Sequence, residues 1–306
     1  MTNILITGGT GFVGRNLIEE ITRNDPFIEK IYVLTRDISK IQKKFSKFSN
    51  KICGFSDIND LDRDIEFEQI INLAGEPIAD KKWSEKQKEI IKSSRIEVTK
   101  DLVKFIGKLK TKPSVMISAS AVGYYGSHDD EPLDEDSIGK KEFTHFLCKA
   151  WENEARKVEK YGVRVCIARF GIILGKDGGA LKKMLPAFRF GLGGKISSGK
   201  QIMSWIHMRD AIRGLMFLIH NENLSGEFNF CAPNAVTNDK FTKLLAKTVI
   251  RPTLFSMRLG LVKFLFGEMG ETLLANGQNI YPRRLLDAGF NFKYKRIDSA
   301  LRNAVK

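Results

Sequence analysis

The amino-terminal stretch constrains this chain more than any other. Asn3-Ile4-Leu5-Ile6-Thr7 is a short apolar, β-branched run with the length of a buried parallel strand. Gly8-Gly9-Thr10-Gly11-Phe12-Val13-Gly14 follows at once, and Arg15 to Arg23 then reads as a helix with Phe12, Val13, Leu17, Ile18 and Ile21 on its inner side. A strand, a glycine turn and a helix N-terminus in that order form an anion site. Glycine lets the backbone turn tightly and approach a phosphate, and the free N–H groups of the first helical turn point at it. In this context Gly8-x-x-Gly11-x-x-Gly14 points to the pyrophosphate of a dinucleotide. A plain βα turn explains neither Gly11 nor Gly14 as well.

A second strand, Ile31 to Thr35, bears on the type of dinucleotide. A carboxylate at this strand end favours NAD by holding the ribose 2′-hydroxyl. Here the strand ends in Thr35-Arg36, a hydroxyl and a guanidinium suited to the 2′-phosphate of NADP, although Asp37, one residue late, keeps NAD open. NADP(H) is therefore expected over NAD(H). Residues 38–50 read as a lysine-rich helix, Lys51 to Phe55 as a third strand and Phe67 to Leu73 as a fourth. The fourth runs into the small residues Ala74 and Gly75, which let the chain pass close to a ligand. Trp83 to Leu109 reads as a long helical region interrupted near Ser93-Ser94. Pro113 to Ser118 is the fifth strand, Phe143 to Tyr161 a helix, and Val163 to Arg169 the sixth strand.

The β/α alternation loosens after Gly175. Helices are expected over Ala180–Phe190, Ala211–His220, Phe241–Val249, Arg258–Phe266 and Pro282–Ala288, with a strand at Glu227–Phe230. Gly194 to Lys200 spells most of a phosphate-loop string, but Gln201 replaces the Ser/Thr and no good strand precedes it, so that reading is rejected. With 306 residues, 42% apolar and 28% charged, the chain has the composition of a soluble globular protein. No signal peptide fits the first residues, and no apolar run is long enough to span a bilayer, so no membrane partner is expected. Four scattered cysteines without metal spacing suggest free thiols in a reducing compartment, the cytoplasm, and no metal site. The net charge of +14 comes mostly from dispersed lysines, not from a basic element interleaved with aromatics, so no specific nucleic-acid partner is expected.

The motifs TGGTGFVG, NLAGEPIADKKW, SSRIEVT, SASAVGYYG, FTHFLCKAWE, RFGIILGKDGGAL, FGLGGKISSGKQ and SWIHMRD follow one another across residues 7–210, with GEMGETLLANGQ, PRRLLDAGF and FKYKRIDSAL in the tail. Together they resemble the extended short-chain dehydrogenase/reductases, the NAD-dependent epimerase/dehydratase family, and within it the atypical "epimerase family protein" subgroup. The resemblance implies an α/β fold: a Rossmann-type doubly wound parallel sheet over residues 1–175, completed by about 205–232. It also implies a smaller substrate lobe from 176–204 and 233–306, of uncharacterised role. By resemblance, Leu73, Ala74 and Gly75 border the cofactor, and Glu89 and Arg95 are candidates to face it. Ser120, with Ser118 second, would hydrogen-bond the reacting oxygen of a substrate. His207 falls in the segment lining the substrate cleft, where a core or helix-capping role is at least as plausible. Arg169 is a candidate to hold an anionic group, or a carboxylate of the acidic loop 129–136.

The usual Tyr-x-x-x-Lys pair, whose phenol exchanges the proton while the lysine ammonium eases its ionisation, is missing: no tyrosine lies between Tyr125 and Tyr161. Three readings remain. His145, with Lys149 four residues on, substitutes as acid/base; Tyr124 or Tyr125 supplies a phenol from another backbone position; or the chain binds NADP(H) with weak, altered or no redox activity. The expected function is an NADP(H)-dependent oxidoreductase or epimerase-like enzyme acting on a small carbonyl, hydroxyl or sugar-type substrate. Its rival is a non-catalytic NADP(H)-binding sensor. A homo-oligomer is compatible with either.

Overall fold

Seven strands pair edge to edge as one parallel sheet in a computed structural model that describes residues 2–128 and 131–305. The strands are β1 (Thr2–Thr7), β2 (Ile28–Leu34), β3 (Ile52–Phe55), β4 (Phe67–Asn72), β5 (Val115–Ala121), β6 (Arg164–Phe170) and β7 (Gly226–Phe230). Their spatial order is β3-β2-β1-β4-β5-β6-β7, so the winding reverses between β1 and β4. In doubly wound sheets ligands bind at that reversal, beyond the carboxyl ends of the strands. Successive side chains point to opposite faces, and each face is covered. Ile4, Ile6, Ile71 and Ile117 pack with helices α1 (Phe12–Asn24) and α6 (Met208–His220). Leu5, Ile70, Met116 and Ile167 pack on the other face with α3 (Glu85–Lys108) and the end of α4 (Phe143–Arg156).

The remaining helices are α2 (Ile38–Lys44), α5 (Gly179–Arg189), α7 (Asn238–Val249), α8 (Leu259–Gly270), α9 (Arg283–Asp287) and α10 (Ile297–Val305). Leu174, Leu181, Phe188, Trp205, Phe241 and Leu301 form a second core for the carboxyl-terminal lobe. Leu285, Phe290 and Phe292 from the tail pack instead into the main core beside the sheet.

Several local expectations need correction. Helix α3 is not interrupted at Ser93-Ser94, because both hydroxyls donate back to carbonyls three residues earlier, those of Ile90 and Ile91, and stay within the helix. Strand β5 runs on to Ala121 because β6 pairs beside it through Phe170. Helix α6 starts at Met208, where the His207 side chain caps it. The tail forms α10, for which no element was assigned from sequence. In the acidic loop, Pro132–Leu133 pairs with Asn279–Ile280, and Asp134 and Asp136 pair with Arg283 and Arg284. Asp129 and Asp130 lie outside the described residues. The phosphate-loop-like string is a short strand, Gly194–Ile196, and a turn at Gly199 with no helix behind it.

Candidate cofactor and substrate site

The glycine loop leaves β1 at Gly8, whose φ of +68° is a left-handed conformation open to glycine. A Cβ there would stand 2.4 Å from the Leu73 carbonyl oxygen, because the loop crosses directly over the end of β4. The Gly11 amide donates to the Gly8 carbonyl at 2.9 Å and closes the turn. Gly14, in the first turn of α1, packs so tightly on the loop that a Cβ would meet Gly8 O at 2.4 Å. Gly9 sits over Val33 and Ile18 in the same way. Thr10, Gly11, Phe12 and Val13 thus form the N-terminus of α1, where no side chain caps the helix and no acid occupies the first turn. Its amides remain available to an anion.

The end of β2 shows which neighbour serves the loop. Arg36 is 93% exposed, with only a loose 3.7 Å contact to Glu76. Asp37 is engaged as the N-cap of α2, accepting from the Lys40 amide and the Ser39 hydroxyl. Its carboxylate is committed to the helix, leaving Thr35 and Arg36 at the strand end. Lys44, from the last turn of α2, reaches back to donate to the Thr10 carbonyl at 2.9 Å. Burial, then Arg15 and Lys40, lower its pKa. Sequence reasoning missed Lys44; the only signal was the helical spacing of Lys40 and Lys44 in an otherwise solvated run.

Under the reversal point lies a closed polar network. Thr7 Oγ1 donates to Asn72 Oδ1 (2.6 Å), and Asn72 Nδ2 donates to Thr99 Oγ1 (2.8 Å) and Ser118 Oγ (3.2 Å). Trp151 Nε1 and the Ala74 amide complete it through Thr99 and Thr7. Ser118 is buried there as a strut. Arg95 lies behind the Leu73-Ala74-Gly75 segment, donating to the Glu76 carbonyl at 3.0 Å with its guanidinium over Trp151, and burial lowers its pKa. Glu89 is placed elsewhere, on the exposed side of α3 beside Lys92.

Beyond β5 and β6 a buried chain of charge runs through Ser120, Glu152, Arg169, Tyr125 and Asn229. Ser120 Oγ, only 3% exposed, donates to Glu152 Oε1 at 2.6 Å. Arg169 grips both oxygens of Glu152 (2.9 and 2.8 Å) and donates to the Tyr125 hydroxyl at 3.0 Å; that hydroxyl donates to Asn229 Oδ1 at 2.8 Å. Burial would lower the Arg169 pKa, but Glu152 outweighs it and the net shift is upward. Tyr125 is fully buried, which holds its phenol well above the ordinary range despite Arg169. Among the described residues the partner of Arg169 is Glu152, not a carboxylate of the acidic loop, and sequence reasoning passed over it.

The chain matches the family model "NAD dependent epimerase/dehydratase family" over residues 4–231, and a domain model of unknown function, DUF1731, over 260–304. It belongs to the NAD-dependent epimerase/dehydratase family. It is 35% identical to the epimerase family protein YfhF of Bacillus subtilis, covering 98% of this chain and 96% of that protein. It is 36% identical to an SDR39U1 homologue, chloroplastic, of Arabidopsis thaliana, over 98% and 85% of the two. Among solved structures, the human epimerase family protein SDR39U1, crystallised with NADPH, superposes with a TM-score of 0.87 at 28% identity over 99% of both chains. A Bacillus cereus UDP-glucuronic acid 4-epimerase shares the fold, with a TM-score of 0.80 at 14% identity.

Within this epimerase/dehydratase fold the α4 face toward Ser120 carries unusual side chains. Thr144, Cys148 and Glu152 recur at i, i+4 and i+8, and all three are buried. The inward i,i+4 pair is therefore Thr144–Cys148, not His145–Lys149. The Cys148 thiol sits beside Ser120, and burial pushes it up to about 11. Lys149 is exposed, while His145 is buried with Nδ1 against the Tyr124 carbonyl oxygen. Tyr124 is half-buried, with the Arg169 guanidinium 3.5 Å over its ring. His207 is buried at the lobe junction, where Nδ1 accepts from the Arg209 amide and the ring stacks on Tyr294 at 3.9 Å. Burial pushes its pKa down to about 4, so the ring is neutral.

Proposed function

We propose that this chain binds NADP(H) and acts as an oxidoreductase or epimerase-like enzyme on a small carbonyl, hydroxyl or sugar-type substrate. One observation carries the cofactor choice: Arg36 lies exposed at the end of β2, held only by a loose contact to Glu76, while the neighbouring Asp37 carboxylate is consumed in capping α2. The uncapped first turn of α1 suits the pyrophosphate, and NADPH in the human relative supports the same reading. The nicotinamide, when bound, supplies or accepts a hydride.

The chain's own residues supply positioning and the proton. Ser120 has its hydroxyl hydrogen committed to Glu152, so its oxygen is left to accept from a substrate hydroxyl. Glu152 and Arg169 hold that orientation. Tyr124 is the residue assigned to exchange the proton, for Tyr125 is sealed between Arg169 and Asn229. The Arg169 guanidinium, 3.5 Å over the Tyr124 ring, holds that ring in place.

The Thr144–Cys148 face favours a second reading, a non-catalytic NADP(H) sensor, because neither side chain replaces a phenol and an ammonium. NADPH oxidation across a panel of carbonyl compounds separates the two. Turnover abolished by Tyr124→Phe and retained by a folded Tyr125→Phe supports the enzyme. Tight NADPH binding without turnover on any substrate supports the sensor. Failure to bind either nicotinamide dinucleotide refutes both.

A further inference from the structure

Between Asp239 and Glu268 the chain holds Lys240, Lys243, Lys247, Arg251, Arg258 and Lys263 and no acidic residue. Lys243 pairs with Asp239 and Lys263 with Glu271, which leaves Lys240, Lys247, Arg251 and Arg258 to give the face its positive charge. The same stretch exposes an unusual number of large apolar side chains. Leu254 is 81% and Phe264 78% exposed, and Ile250, Phe255, Leu261 and Leu265 are also exposed. Ile250, Leu254 and Phe255 are linked in space to Phe190 and Leu192, because Phe255–Met257 pairs with Gly194–Ile196 and Arg251 Nε donates to the Arg189 carbonyl, and α8 follows that strand directly in the chain.

Helix α8 is apolar on both sides. Inward, Phe266 and Met269 pack on the cluster of Trp83, Ile91 and Leu147. The helix is tied down by Lys88–Glu268 at 2.8 Å and by Lys82 Nζ on the Phe264 carbonyl. Outward, Leu261, Phe264 and Leu265 have no cover. A contiguous exposed apolar patch marks an interaction surface, and its charge decides the partner. A second copy meeting this face across a two-fold axis would set the cations against their own images. A broad, anionic, apolar-backed surface complements both features.

We propose that residues 250–265, with Phe190 and Leu192, dock the carboxyl-terminal lobe on an anionic lipid bilayer. The lobe lies on the headgroups, with Leu254 and Phe264 entering the acyl boundary and the lysines and arginines over the phosphates. No helix among the described residues is long and apolar enough to cross a membrane, so this is surface attachment. The expectation of no membrane partner rested on the absence of a spanning segment, which leaves attachment of this kind open. The inference is independent of the cofactor reading.

The test is co-sedimentation of the full chain with vesicles of phosphatidylcholine alone and of phosphatidylcholine mixed with phosphatidylserine. Binding is expected to the mixed vesicles, with weakening as salt rises. Lys247→Ala with Arg258→Ala is expected to reduce it roughly thirtyfold. Leu254→Ser with Phe264→Ser is expected to reduce it at least about tenfold. An unchanged melting temperature and circular dichroism spectrum show that these exposed substitutions leave the fold intact. Absence of binding to mixed vesicles overturns the proposal, as does binding that both double variants leave untouched. A concentration-dependent dimer that Leu254→Ser with Phe264→Ser dissolves, without vesicle binding, assigns the face to a second copy instead.

Discussion

Replacing Arg36 by alanine isolates the choice of cofactor from the stability of the fold. The guanidinium is 93% exposed and its one contact, to Glu76 at 3.7 Å, is loose. Surface substitutions of this kind change stability by no more than about 0.5 kcal/mol, so any loss in binding belongs to the ligand. A hydrogen bond to a charged partner contributes about 1.5–3 kcal/mol, which is roughly ten- to a hundredfold in dissociation constant. That loss is expected for NADPH, whereas NADH, which lacks the 2′-phosphate, is expected to bind within about threefold of the wild type. Nor will the substitution create a preference for NADH through Asp37, because that carboxylate remains on the Lys40 amide and the Ser39 hydroxyl. Calorimetric titration of both cofactors against both proteins gives the comparison directly. Equal losses for the two would refute the 2′-phosphate assignment; an unchanged NADPH affinity would transfer it to another cation, with Lys44 first in line.

Three further outcomes follow from the packing. Gly8→Ala places a methyl 2.4 Å from the Leu73 carbonyl at a φ of +68°; it is expected to cost at least about 2 kcal/mol in urea unfolding and to abolish NADPH binding. Glu152→Ala leaves the Arg169 guanidinium, 2% exposed, without its carboxylate. A loss of about 3–5 kcal/mol is expected, recovered in large part by Glu152→Leu with Arg169→Met; a single-variant loss below about 1 kcal/mol would show that the pair is open to water. His207 is held near 4, below its ordinary value of 6.5, so the unfolded chain binds the extra proton first. Its contribution to stability is complete above pH 6.5 and falls as pH drops toward about 4, by on the order of 3 kcal/mol. His207→Gln is expected to flatten the decline in melting temperature between neutral pH and pH 5, and an unaltered slope there would remove His207 from the acid response.

The sheet, the glycine loop and the β2 end were legible because their signals are local. A β-branched run, a glycine at a left-handed turn and a guanidinium two residues beyond a strand each act within a few positions. The buried cluster around Ser120 was not, because its partners are distant in the chain. Glu152 and Arg169 meet across a helix and a strand, and Arg283 and Arg284 close on the acidic loop from the far end of the sequence. One clue to α4 was available: Thr144, Leu147, Cys148, Trp151 and Ala155 recur at helical spacing. That stripe sets the helix phase, turns Lys149 outward and brings Glu152 beneath Ser120.

Tyr124 and Tyr125 carry this point furthest. They are chemically identical neighbours in one short turn, with their rings 5.3 Å apart and nearly perpendicular. Nothing local distinguishes them. Asn229, on β7, takes the Tyr125 hydroxyl into the core, and His145 binds the Tyr124 carbonyl from α4, fixing the turn that leaves the half-buried Tyr124 ring under the Arg169 guanidinium. Under the proposed assignment of Tyr124, His145 acts on the chemistry only through that residue. His145→Ala is expected to lower kcat by moving the phenol while leaving the pH profile of the remaining activity in place. A profile that loses a limb would instead make the imidazole the proton carrier and return Tyr124 to packing.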